Sequence, residues 1–140
     1  MQSKLNPYIS FQGNTREAME SYKSIFGGEL TLSTFGEAGM TGHDVKPNEI
    51  MHAMLVADNG ITLMAADSAT GMREYIAGTN MSISLSGDNK EELTGYYNKL
   101  VEGGTVEQPL TEAPWGDTFG MCIDQFGVFW MVNIAGNKAE

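Results

Sequence analysis

IMHAMLVADNGITLMAAD (residues 50–67) and DTFGMCIDQFGVFWMVNI (residues 117–134) are one pattern written twice. They superimpose at a constant offset of 67 residues, pairing Met54 with Met121, Gly60 with Gly127 and Met64 with Met131. Each copy reads as two apolar runs around a Gly-containing turn. DNG is a strong tight-turn signal, and QFG is a weaker one at the same place. A hairpin that recurs in register points to an internal repeat.

The flanks repeat as well. NTREAMESYKSIFGGEL (14–30) has apolar residues at Ala18, Tyr22, Ile25 and Phe26, and NKEELTGYYNKLVEGGTV (89–106) has them at Leu93, Tyr96, Tyr97, Leu100 and Val101. Both sets fit one face of a helix. Asn14 and Asn89 are placed as N-caps, and Gly27-Gly28 and Gly103-Gly104 as terminators. Upstream lie short alternating strands, NPYISF (6–11) and MSISLS (81–86); downstream, LTLSTF (30–35) matches a shorter strand near TVEQPL (105–110). Each half reads β-α-β-β-β: module one about 4–67, a linker about 68–80, module two about 81–135. Neither half-sheet is large enough to bury its own face, so an α+β fold follows, one domain with a cleft shared by two modules.

The bulk numbers agree with a globular protein. The chain has 140 residues, with 41% hydrophobic and 19% charged residues. It lacks an apolar run long enough for a membrane helix and a secretory leader, which makes the cytoplasm the expected location. The single cysteine, Cys122, excludes an internal disulfide and reads as a buried, inert thiol. Net charge is −10, and the acids are spread over both halves. Such a field disfavours nucleic acid and anionic membrane and mildly favours cationic partners.

YISFQGNTREAMESYKSIFGGEL, MHAML, ITLMAAD, PWGDTFG and DQFGVFWMVN resemble, in this order and over nearly the whole chain, the PhnB-like branch of the vicinal-oxygen-chelate superfamily. That superfamily includes glyoxalase I, extradiol dioxygenases and bleomycin-resistance proteins. The resemblance implies tandem βαβββ modules and commonly a homodimer. PhnB-like sequences are sometimes described as ubiquinone-type methyltransferases. The glycine-rich strand-to-helix turn and acidic ribose ligand of a nucleotide-type cofactor site are missing here, and the GG pairs end helices instead of opening them. The chain is read as not a SAM methyltransferase.

In metal-using members of the superfamily, His or Glu ligands come from the first and fourth strands of each module. The resemblance maps these onto Pro7, Met64, Ser82 and Met131, none of which is a His or a carboxylate. No cofactor is therefore expected, with a divalent ion on a non-standard set as the alternative. Met64 and Met131 are expected to line an apolar cleft, whereas Met54 and Met121 are expected to fill core.

His52 is the candidate for chemistry. A tight turn at Asp58-Asn59-Gly60 sets it across from Asp67, where a hydrogen-bonded pair would orient a general base or metal ligand. The plainer reading is a histidine tying a strand end to an aspartate, on the face opposite Met64. His43, in the long loop GEAGMTGHDVKPNE (36–49), reads as solvated. Trp115, Phe119, Phe129 and Tyr8 join Met64 and Met131 as candidate ligand contacts, with Trp130 packed on the other face. Tyr8 and Phe11 lie on opposite faces of strand one. Glu112 and Asp117 are acidic groups that would receive a cation.

The first functional reading is a small-molecule-binding protein with an apolar cleft and without the usual metal site, similar to bleomycin-resistance proteins that sequester a cationic aromatic drug. The second is a metal-dependent lyase, isomerase or dioxygenase of the glyoxalase type, using an unusual ligand set that includes His52 and Asp67. A third is a partner-binding protein with no ligand.

Overall fold

The structure, a computed structural model, describes residues 3–39, 46–68 and 75–136. His43 lies outside them. The chain divides into two compact units, Met1–Ala77 and Gly78–Glu140. The first contains β1 (Tyr8–Phe11), α1 (Thr15–Phe26), β2 (Glu29–Thr34), β3 (Ile50–Val56) and β4 (Thr62–Asp67). The second contains β5 (Ile83–Gly87), α2 (Lys90–Leu100), β6 (Thr105–Glu112), β7 (Thr118–Ile123) and β8 (Phe129–Ile134). Each unit is a four-stranded sheet, ordered β1-β4-β3-β2 in one and β5-β8-β7-β6 in the other. The first strand of each lies parallel to the fourth, and the remaining pairs are antiparallel. This is α+β, with βαβββ written twice. Strand β6 is longer than β2, not shorter, and it carries two register shifts around Gln108.

Each helix covers one face of its own sheet. In the first unit, Ala18, Met19, Tyr22 and Phe26 of α1 and Phe11, Ala53, Leu55, Leu63 and Ala65 of the strands are all buried. Leu93, Tyr96, Tyr97 and Leu100 of α2 serve likewise, with Leu85, Cys122, Trp130 and Val132. Each large side chain fully removed from water contributes roughly 1.5–3 kcal/mol. The glycine pairs do more than end helices. A Cβ on Gly28 would stand 2.1 Å from the Val56 carbonyl oxygen, and one on Gly104 would stand 2.2 Å from that of Ile123. The chain turns into β2 and β6 against neighbouring backbone, where only glycine fits.

Both long hairpins close in the same way. The Ala57 N–H donates to the Ile61 oxygen at 2.8 Å, and the Gly60 N–H donates back to the Ala57 oxygen at 2.9 Å. Asp124, Val128 and Gly127 repeat this at 2.9 and 3.0 Å. Gly60 and Gly127 have φ of 92° and 85°. These are three-residue loops ending in a left-handed glycine, one residue longer than the tight turn expected from DNG. The extra residue shifts the register. Met54 stands opposite Met64, and Ala53 opposite Ala65. His52 therefore lies on the face of Met64, and Asp67 lies on the helix face.

Asp67 holds the first unit together. It is 5% exposed, and its Oδ1 accepts from the Gly13 N–H (3.0 Å), the Thr15 N–H (3.0 Å) and the Thr15 hydroxyl (2.7 Å). Its Oδ2 accepts from the Ile50 N–H at 2.8 Å. One carboxylate thus ties the end of β4 to the start of α1 and the start of β3. Asn14 makes no side-chain cap; Asp67 supplies the acceptor from a distance. In the second unit Asn89 does cap α2, accepting from the Glu92 N–H at 3.0 Å. Asp67→Ala strands three backbone donors and should lower unfolding free energy by about 3 kcal/mol or more, whereas Asn89→Ala should cost about 1 kcal/mol. Urea unfolding of both variants checks this, and equal losses would show that Asp67 is not the organising group.

Candidate functional site

The faces turned away from the helices are half-exposed and nearly free of charge. On the first sheet one row runs Tyr8, Met64, Met54, Thr31 across β1, β4, β3 and β2. The next row runs Ser10, Ala66, His52, Ser33, with Ser33 paired to His52 and Ser10 to Ala66. On the second sheet the corresponding rows are Ser84, Met131, Met121, Gln108 and Ser86, Asn133, Phe119, Thr111. Met54 and Met121 stand beside Met64 and Met131 on these open faces. They are not core residues; Ala53, Leu55, Gly120 and Cys122 take the helix side because strand side chains alternate.

His52 does not meet Asp67. The two point to opposite faces, and the Asp67 oxygens are already engaged by Gly13, Thr15 and Ile50. The partner of His52 is Tyr8. The Tyr8 hydroxyl lies 3.3 Å from Nδ1 of His52, and the ring centroids are 5.9 Å apart at 41°. Tyr8 reaches across β4 to do this, and the small Ala66 leaves the way open. Tyr8 is 53% exposed, whereas Phe11 is buried.

Pro7 and Ser82 lie just before β1 and β5; the residues paired with Met64 and Met131 are Tyr8 and Ser84. A phenol, two thioethers and a hydroxyl do not suit the hard or borderline divalent ions of the superfamily. Among the described residues no group of three or more His, Cys, Asp or Glu is arranged to hold a metal ion. The non-standard set of His52 with Asp67 is not assembled either.

The aromatic candidates separate. Phe129 and Phe119 are half-buried on the open face of the second sheet, and Trp130 is buried on the helix face. Trp115 is 71% exposed at the tip of the β6–β7 turn, where Gly116 has φ of 101°. Asp117 is engaged by the protein itself: it accepts from the Gly136 N–H at 2.8 Å and the Asn133 amide at 3.3 Å. Glu112 remains exposed at the end of β6. Two buried carboxylates have partners that the sequence did not show. Asp67 caps from afar, and Asp124, 5% exposed, accepts from the Phe126 and Val128 N–H groups and from the Trp130 indole.

The repeated βαβββ units build a fold of the glyoxalase/bleomycin-resistance type. A Frankia glyoxylase/bleomycin resistance protein/dioxygenase domain shares the fold, with a TM-score of 0.67 at 14% identity over 100% of this chain and 96% of that one. Residues 3–133 match the family described as 3-demethylubiquinone-9 3-methyltransferase, and the chain belongs to that PhnB-like family. It is similar to the Pseudomonas aeruginosa protein PA1353, with 38% identity over 97% of this chain and 100% of that one and a TM-score of 0.84. It also resembles a Bacillus cereus PhnB protein, with 26% identity, coverage of 95% and 100%, and a TM-score of 0.75.

Cys122 is fully buried, and its thiol is pushed up to about 11 by that burial, with Asp124 and Glu107 adding to the effect. Burial likewise raises the Tyr97 phenol, whose hydroxyl donates to the Gln108 oxygen at 2.8 Å. Since the thiolate is the nucleophile, iodoacetamide at pH 8 should leave Cys122 of the folded protein unmodified and alkylate it in urea. The folded thiol sits above its unfolded value, so its contribution to stability is complete below the unfolded pKa and fades as pH rises toward 11. Rapid alkylation of the native protein would contradict this burial.

Proposed function

We propose that the chain binds an apolar or aromatic small molecule, cationic ones included, on the open faces of its sheets, as a cytoplasmic homodimer and without a divalent metal. One observation carries this reading. The open faces present the methionine pairs Met54/Met64 and Met121/Met131 beside Tyr8, Phe119 and Phe129, and the rows described carry no carboxylate or ammonium group. Thioethers and aromatic rings adapt to flat, polarisable ligands, and hydroxyl and amide groups at Thr31, Ser33, Ser84 and Gln108 supply orientation. The net charge of −10 favours cationic aromatics over anionic ones. A half-exposed apolar face on a folded monomer is the kind of surface that ligands or partners cover.

The methyltransferase wording of the family description is not carried over. Gly27-Gly28 and Gly103-Gly104 follow helices, and a cofactor of the nucleotide type is held where a glycine-rich turn precedes one. The catalytic alternative rests on His52, the one imidazole on these faces among the described residues, oriented by Tyr8. It would use His52 as a general base, with no part for Asp67.

Trp115 offers a reporter, being exposed where Trp130 is buried. Titration with aromatic cations such as acridine orange, followed by fluorescence and by calorimetry, should give saturable binding. Phe129→Ala and Met131→Lys should each weaken binding by about tenfold or more, equivalent to about 1.4 kcal/mol, with little change in melting temperature. Affinity that is indifferent to both substitutions would remove the open face as the site. Turnover of an oxygenated substrate that is lost in His52→Phe would favour the catalytic alternative.

A further inference from the structure

We propose that the open face of the first sheet binds one soft, monovalent metal ion of the copper(I) class through the thioethers of Met54 and Met64 and the imidazole of His52. The strand pairing brings the donors together. The Met64 N–H donates to the Pro7 oxygen at 3.0 Å, so it points toward β1 and away from β3. Met54 and Met64 therefore form a non-hydrogen-bonded antiparallel pair, in which facing Cα atoms approach to about 4.5 Å and the side chains stand closest. His52 lies two residues before Met54 and projects from the same face of β3. Two thioethers and an imidazole are a donor set that selects copper(I) over the harder divalent ions.

Tyr8 completes the arrangement. The Tyr8 hydroxyl lies 3.3 Å from Nδ1 of His52; in the tautomer that carries its proton on Nδ1, that N–H donates to the phenol oxygen and Nε2 presents the lone pair. Fixing one ring nitrogen to orient the other is how proteins commonly prepare a metal-binding histidine. The neighbouring positions in these rows, Thr31, Ser33, Ser10 and Ala66, are neutral. Nothing among them would recruit a dication in preference to an ion of low charge.

The second sheet is a built-in control. Met121 and Met131 face each other in the equivalent pairing, but Phe119 stands where the first sheet has His52, and Ser84 where it has Tyr8. The binding stoichiometry should thus be one ion per chain. The inference does not depend on the small-molecule reading: a leucine in place of either methionine keeps the face apolar and removes only the soft donor.

Silver(I), a redox-inert probe of the same class, tests this in chloride-free buffer with the full chain labelled at its methionine methyl groups. Saturation at one equivalent is expected, with methyl resonance changes at Met54 and Met64 and none at Met121 and Met131. Met54→Leu, Met64→Leu and His52→Phe should each weaken silver binding at least tenfold. Cys122→Ala and Met121→Leu should leave it unchanged. Because the wild-type methyl pattern stands without any variant, a misfolded mutant does not protect the proposal. Resonance changes centred on Met121 and Met131, binding lost in Cys122→Ala, or affinity unaltered by both leucine substitutions would overturn it.

Discussion

The left-handed glycines at 60 and 127 set which side chains share a surface, and the rest of the molecule is arranged around that choice. Their φ values of 92° and 85° close three-residue loops, and a strand's side chains alternate with a period of two. One residue more or less in either loop would exchange the two faces of a strand. With the loops as they are, Leu55, Leu63 and Ala65 go under the helix, and Met54, Met64 and His52 go to the open side. The same loop in the second unit sends Cys122, Trp130 and Val132 inward and Met121 and Met131 outward. The core and the candidate site are thus two readings of one register.

Within that shared register the copies have solved local problems differently. Trp130 stands where the first unit has Leu63, and an indole N–H buried without an acceptor is costly. Asp124 supplies the acceptor at 2.8 Å, at a position that is Ala57 in the first unit, where no such donor exists. Conversely, Asp67 has Ile134 as its counterpart. The first helix needs the distant carboxylate because Asn14 makes no cap, whereas Asn89 caps the second helix from its own chain position. Each buried carboxylate is explained by a donor on its own unit, which leaves neither available for chemistry at the surface.

The repeat, the helices with their glycine terminators, and the face-splitting of Phe129 and Met131 from Trp130 were legible from spacing alone, because periodicities of 3.6 and 2 are written directly in apolar residues. The class of protein was legible from the ordered motifs. Asp67 was legible only as a carboxylate near a strand end. That it reaches Gly13 and Thr15 depends on β1 lying parallel to β4, a long-range pairing that no local pattern announces. The site was blurred by the turn. DNG fits both a two-residue and a three-residue loop, and the difference is the difference between His52 on the face of Asp67 and His52 on the face of Met64. Tyr8 with His52 was out of reach for the same reason, since the contact spans three strands and needs Ala66 between them.

A face made of thioethers, aromatic rings and hydroxyls also constrains what the fold does in this chain. Hard cations and phosphorylated substrates require carboxylates or clustered basic groups in fixed positions, and the rows described offer one imidazole, His52. Soft and polarisable partners require only that large, deformable atoms be presented without competing charge. The two sheets differ most at the positions of His52 and Tyr8, where the second has Phe119 and Ser84. The first adds an oriented imidazole to its methionine pair, and the second adds Phe119 in its place. An apolar ligand would find purchase on either face, but among the described residues only the first adds an imidazole to its thioether pair. The duplicated architecture therefore supplies two similar surfaces, and His52 is the residue that makes them chemically unequal.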